Sequence, residues 1–276
     1  VYDKYLPLTF HTFDEDEQEV RRAMVDLLQL TPDMTVLEVG AGTGRDSALI
    51  ADRLGAEGAF YVQDISESML RVAQQRLADA RVPCDFGVAN ATRLPFADDT
   101  FDAVFQFGGV GEFSDISAFF REVARVTKPG GRVVAGDENM PVWLRDTAFA
   151  KMLTNTNPQY AAPLPLEHLP IEARNVHLRW IIGGVFYLLD FDIGEGEPPA
   201  NFDFPIPGAR GGTHRTRYYG QLEGVTPETK RLAYQARAKL GLSMHDWLDR
   251  IVRAHAEAVL DDREHGDGDS EGDESR

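Results

Sequence analysis

The chain has 276 residues, 43% of them apolar, enough to bury one α/β domain with an appended piece. No stretch approaches the roughly twenty uninterrupted apolar residues of a membrane span, which predicts a soluble protein with no membrane partner. Acidic residues outnumber basic ones 45 to 28, for a net charge of −17, and such a surface argues against a nucleic-acid partner unless basic residues gather in one place.

One cysteine, Cys84, excludes an internal disulfide framework and suits a reducing cytoplasm, and its place in an apolar run predicts a buried, inert thiol. The N-terminus has no basic region followed by an apolar core, so no secretion signal is expected. Residues 261–276 hold eight acids, two arginines and no apolar residue, a composition that predicts a disordered tail.

In chain order, residues 2–20 mix aromatics (Tyr2, Tyr5, Phe10, Phe13) with His11 and an acidic run. Two readings stand: a helix whose aromatics cover a sheet edge, or a lid over a bound ligand. Residues 18–30 have helical spacing and stop before Thr31-Pro32. Val36 to Asp46 then reads as strand, tight turn and helix start. Glycines at Gly40, Gly42 and Gly44 permit positive φ and leave no Cβ between backbone and ligand. The third glycine of a dinucleotide fingerprint would fall at Arg45, so a dinucleotide is disfavoured. Glu38 adds a carboxylate suited to an ammonium group, and an adenosine ligand carrying positive charge fits this turn best.

A helix over 45–54 ends at Gly55, and a second strand over 59–64 ends at Asp64. Asp64 lies twenty residues beyond Gly44, about the separation at which an acid after such a turn meets a ribose hydroxyl pair. Ser66 caps the next helix. Residues 84–90 read as a third strand and 101–107 as a fourth, followed by an open loop, Gly108 to Glu112, where a second ligand should arrive. A helix over 116–127 leads through Lys128-Pro129-Gly130-Gly131 into a fifth strand over 132–138. This alternation predicts an α/β fold with a doubly wound, mostly parallel sheet that binds ligands beyond its carboxyl strand ends.

The second half is plainer. Residues 142–155 read as a helix, 156–170 as a proline-rich connector, and 176–182 with 185–191 as a hairpin around Gly183-Gly184. A long loop covers 194–212. In 210–219, three arginines, His214 and two tyrosines either form a local anion site or tie the loop to nearby acids. Two helices follow, over 227–240 and 244–260, and a stripe of Trp247, Leu248, Ile251 and Val252 offers a face for the body or for a homodimer.

Glu38-Val39-Gly40-Ala41-Gly42-Thr43-Gly44 resembles the first motif of the class I S-adenosylmethionine-dependent methyltransferases, and later segments of that family follow in order to Glu138. The resemblance implies a Rossmann-like, mostly parallel seven-stranded sheet closed by an antiparallel hairpin, here with appended C-terminal helices. The implied organisation is an N-terminal helical lid segment (1–30), a cofactor-binding core (31–194), a C-terminal loop and helix pair (195–260) and the acidic tail (261–276).

The resemblance also implies S-adenosyl-L-methionine as cofactor, S-adenosyl-L-homocysteine as product, and contacts from Glu38, Gly40, Ala41, Gly42, Gly44, Asp64, Ile65, Asn90, Ala91 and Gln106. Asn90 stands where the family has an aspartate that accepts from the adenine amino group; its amide oxygen keeps an acceptor there. Methyl transfer is an in-line displacement dominated by positioning. Where a base is needed, His11, His214 and Glu112 are the candidates, with Glu138 as a further base or ammonium binder. Asp137, Glu138 and Asn139 are adjacent on one strand and cannot all converge on one ion, so no metal is predicted. The expected function is methylation of oxygen, nitrogen or carbon of a small-molecule metabolite. The alternatives are a non-catalytic S-adenosylmethionine-binding or sensing protein with a helical dimerisation module, and a protein methyltransferase.

Overall fold

Strand β1 (Thr35–Val39) is almost wholly buried because it pairs in parallel on both edges, with β2 (Ala59–Asp64) through Val36↔Phe60 and with β4 (Phe101–Phe107) through Val36↔Ala103. A strand covered on both faces needs an unbroken apolar run, which this segment supplies. The computed structural model describes residues 2–207, 212–220, 222 and 225–264, and they fall in two units, Val1–Pro198 and Pro199–Arg276.

In the first unit, β3 (Cys84–Val88), β2, β1, β4 and β5 (Thr127–Glu138) run parallel, and the sheet closes with β7 (Phe186–Ile193) and β6 (Ala173–Ile181) in the order β3-β2-β1-β4-β5-β7-β6. β7 is antiparallel to β5 from Arg132↔Asp192 to Glu138↔Phe186. The chain reverses its direction of winding between β1 and β4, and ligands of such sheets settle beyond that switch point.

Alternate side chains along each strand point to opposite faces and build two cores. On one face Val36, Phe60, Phe105 and Val134 meet α2 (Glu17–Asp26), α3 (Arg45–Ala51) and α4 (Glu67–Arg76) through Met24, Ile50 and Leu70. On the other, Leu37, Val104, Val133 and Phe191 meet Phe119, Phe120 and Val123 of α5 (Ile116–Val126). A third cluster joins Phe10 of α1 (Tyr2–Thr12), Ala150 of α6 (Ala148–Thr156) and Val185 with Phe186 of the hairpin. It lies at the carboxyl strand ends, where the site is built.

Several boundaries differ from expectation. The helix expected over 142–155 is divided into a 3-10 turn at Val142–Leu144 and α6, because the Thr147 side chain caps Ala150 N and restarts the helix. The third strand stops at Val88, short of Asn90, and the Cys84 thiol on this edge strand is half-buried, not buried, though burial still pushes it up. α3 ends at Ala51, before Gly55, in a turn through Asp52.

The second unit contains α7 (His214–Tyr219), α8 (Pro227–Lys239) and α9 (Met244–Glu264). α8 stops before Gly241, which has a φ of 68°, and Ser243 and Asp246 bond reciprocally at the start of α9, at 2.6 and 3.1 Å. Arg215 donates to Asp203 at 2.8 Å, so this arginine ties its loop to an acid; Arg210 and Gly211 lie outside the described residues, as does the tail from residue 265. Ile251 and Val252 of the α9 stripe are exposed. Among the described residues no helix is long and apolar enough to cross a membrane.

Candidate functional site

The turn after β1 is strained toward the left-handed region at three glycines, and two of them show different reasons. Gly42 has a φ of 56°, and a Cβ placed there meets nothing within 4 Å; at Gly44, with a φ of 79°, it would come within 3.0 Å of Ala73 in α4. Gly44 therefore lets α4 pack against the start of α3, while Gly42, like Gly40, leaves backbone bare toward open space.

That space is a cavity of about 450 Å³ beyond the carboxyl ends of β1, β2, β4 and β5, within the range of small-molecule sites. Asp64, nearly buried at the end of β2, is fixed at its wall because its two carboxyl oxygens accept from Gly42 N at 2.8 Å and Ser66 N at 2.7 Å. A carboxylate held this way retains lone pairs for a further donor. Bare glycine backbone beside an oriented acid fits a nucleoside.

A chain of charges fastens the N-terminal helices to this turn. Arg21 of α2 donates to Glu17 at 2.8 Å and to Asp46 at 2.6 Å, and Arg45 donates to Glu17 at 2.7 Å. Arg21 is nearly buried with its guanidinium 5.4 Å from the Phe10 ring centroid. Among the described residues Asp46 Oδ1 is buried with no hydrogen-bond partner, and Asp46 lines the cavity. An orphan acceptor of this kind is costly unless a ligand donor meets it.

Across the switch point, the wall is made by the segments after β4 and β5 and by the hairpin. Glu112, Asp137 and Glu138 supply carboxyls, Asn157 and Gln159 supply amides, and Phe107 and Phe186, stacked at 6.0 Å, supply an aromatic face. Asp137 accepts from Gly111 N at 2.6 Å and from Glu138 N at 2.9 Å. Asn157 donates to Glu138 at 3.3 Å. Burial, followed by the neighbouring Asp137, pushes the Glu138 carboxyl up to about 9. The same burial, with Glu138 nearby, raises Tyr160, and with Asp137 and Glu138 nearby it raises Tyr187.

Of the residues named from the sequence, Gly40, Ala41, Gly42, Asp64, Ile65, Glu112 and Glu138 line this cavity together. Others do not reach the wall. Glu38 is buried beneath the turn, where it accepts from Ser47 Oγ, and burial with the nearby Asp46 charge holds its carboxyl well above the usual range. The Asn90 amide oxygen is occupied by Thr92 N and Thr92 Oγ1, each at 2.9 Å. Ala91 packs in the α5 core. Gln106 is buried, with its amide between Gly136 O at 3.3 Å and Gly109 N at 3.2 Å. His11 is exposed in the last turn of α1. His214 belongs to the second unit, where its ring packs on Phe202 and Phe204.

Sequence reasoning missed Arg21, Asp46, Phe10, Asn157, Gln159 and Phe186 as parts of the wall. The spacing of Glu17 and Arg21 on one helical face was available as a signal. Their partners 25 and 28 residues away were not.

Residues 36–131 match a family model described as a methyltransferase domain. A demethylmenaquinone methyltransferase of Beutenbergia cavernae is 40% identical over 124 residues, 45% of this chain and 48% of that protein. One of Mycolicibacterium gilvum is 41% identical over 143 residues, 51% of this chain and 58% of that protein. The chain thus spans about half the length of these curated relatives. Among solved structures, a phosphoethanolamine N-methyltransferase 2 of Haemonchus contortus in complex with S-adenosyl-L-methionine shares the fold with a TM-score of 0.52 at 14% identity, covering 68% of this chain and 56% of that one.

Proposed function

We propose that this chain, whose residues 36–131 match the methyltransferase-domain model, is a class I methyltransferase that transfers a methyl group from S-adenosylmethionine to a small-molecule metabolite. The observation that carries the proposal is the cavity itself: Gly40 and Gly42 open onto it, Asp64 is fixed at its wall, and the same cavity extends across the switch point to the segments after β4 and β5.

Asp64 would hold the ribose hydroxyls, and the bare turn would lie against the nucleoside. Asp46, with its unpartnered oxygen, replaces Glu38 as the acid for the amino-acid ammonium, and Arg21 and Arg45 are the cations that line this end of the cavity. When bound, the cofactor supplies an electrophilic methyl on a sulfonium. The residues of the chain then exclude water, hold the acceptor in line with that methyl, and take up a proton where the acceptor must lose one. The relatives named as demethylmenaquinone methyltransferases support a metabolite, and not a macromolecule, as acceptor. A single half-buried thiol fits a cytoplasmic setting.

Thermal-shift titration with S-adenosylmethionine and S-adenosylhomocysteine tests this. At a hundred times its dissociation constant either ligand stabilises the native state by about 2.7 kcal/mol. Both are expected to raise the melting temperature of the intact chain, and Asp64→Ala to remove most of that rise. No shift with either ligand overturns the proposal.

A further inference from the structure

The cavity sorts its charges by strand. The described cations of its wall, Arg21 and Arg45, sit at the glycine-turn end and are held by Glu17 and Asp46. Across the switch point, two strands further along the sheet, the described wall carries Glu112, Asp137 and Glu138 and no Arg or Lys. A carboxylate, phosphate or phenolate acceptor would find no described cation there, and Glu112 and Asp137 in a partly enclosed space repel an anion far more than they would in water. The aromatic faces of Phe107 and Phe186 on the same side favour a cation as well.

Within that chamber one carboxyl is placed to act. Both oxygens of Asp137 are engaged by backbone N–H groups of Gly111 and Glu138. Glu138 is next to it, with Asn157 on one oxygen and a shared hydrogen bond to Asp137, and Tyr160 and Tyr187 nearby. The family match ends at residue 131, so Asp137, Glu138, Asn157 and Phe186 all lie beyond the segment this chain has in common with the family model.

We propose that the acceptor is an amine: a small molecule bearing an ammonium group, seated against Phe107 and Phe186, with the Glu138 carboxylate as its ion partner and proton acceptor. Before binding, the Glu138 carboxyl holds its proton near neutral pH, and an arriving ammonium displaces that proton to solvent. Glu138 then takes one proton from the nitrogen, leaving a neutral amine. The freed lone pair forms the new N–C bond, the C–S bond breaks with its electron pair going to sulfur, and the positive charge moves from sulfur to nitrogen. The neighbouring Glu112 and Asp137 carboxylates stabilise that charge on either atom. Transfer to a hydroxyl would instead require an oxyanion to develop against them.

This inference rests on the methyltransferase proposal, and two readouts separate their failures. Calorimetry of S-adenosylhomocysteine with the full chain comes first, and absence of binding removes both. With binding established and S-adenosylmethionine supplied, phenethylamine, N-methylphenethylamine and further primary and secondary amines are screened beside hydroxyl and carboxylate counterparts on the same skeletons and beside a naphthoquinol. Release of S-adenosylhomocysteine and the product mass are read. Amines are expected to gain a methyl on nitrogen and carboxylates to remain unmodified. Glu138→Gln is expected to raise the amine KM by roughly tenfold or more, with S-adenosylhomocysteine affinity within about twofold showing that the variant is folded, and Glu138→Asp to recover part of the loss. Methylation of a hydroxyl or of the quinol ring while amines stay unmodified overturns the amine proposal and leaves the methyltransferase one standing. S-adenosylhomocysteine binding without turnover of any amine, or an amine KM unmoved in Glu138→Gln, overturns it equally.

Discussion

Two groups of acids on neighbouring strands of the same sheet have opposite surroundings. Asp190 of β7 is fully buried and pairs with Arg132, Arg179 and His177, the last at 3.1 Å, while Arg132 also reaches Asp192 at 2.7 Å. Asp137 and Glu138 of β5 are enclosed too, yet they touch backbone N–H groups, an amide and each other. The first acid is compensated and serves the hairpin. Among the described residues the second pair has no cation, an arrangement that is costly for folding and retained where a ligand supplies the missing charge.

The comparison can be broken at either side. Asp190→Ala leaves Arg132 and Arg179 without their shared acid, and urea unfolding is expected to show a loss of about 3–5 kcal/mol; a loss below about 1 kcal/mol would mean water already compensates those cations. Arg21→Ala removes the clasp on Asp46, in a place more open to the cavity, and should cost about 2 kcal/mol of stability by the same measurement. Ser47→Ala takes away the hydroxyl donated to buried Glu38 and is expected to cost about 1–2 kcal/mol.

Glu138→Gln sharpens the contrast with an effect that is the smallest of the four near pH 6 and grows with pH. Its carboxyl is raised in the folded state, so the native chain binds the extra proton, and stability is greatest below the ordinary carboxyl range and falls as pH rises toward about 9. Glutamine cannot ionise. Melts of the two proteins should therefore agree within about 0.5 kcal/mol near pH 6, with the variant gaining on the native chain between pH 6 and 9. A difference that stays constant over that interval would show that Glu138 does not titrate there.

Much of the glycine-turn end of the cavity was legible because it depends on local geometry. Gly40 and Gly42 in a left-handed turn, Asp64 at a strand end and the alternation of strands with helices are each encoded within a few residues. Asn90 and Gln106 were assigned by position in the resembled motif, but a residue's place in a motif does not say which way its side chain turns. Thr92 and Gly136 with Gly109 provide nearer partners for their amides. Glu38 similarly found Ser47 beneath the turn.

By itself, then, the order of residues determined the strand succession, the glycine turn and the acid that follows it, because those features arise from backbone freedom and from periods of two and 3.6 residues. Only the tertiary structure decided which side chains share a cavity. Phe10, Arg21, Glu112, Glu138, Asn157 and Phe186 come from six separate segments, and they share one cavity because β7 inserts beside β5 and α1 and α2 fold back over the strand ends. No local pattern carries that information, since it resides in side-chain packing between segments far apart in the chain.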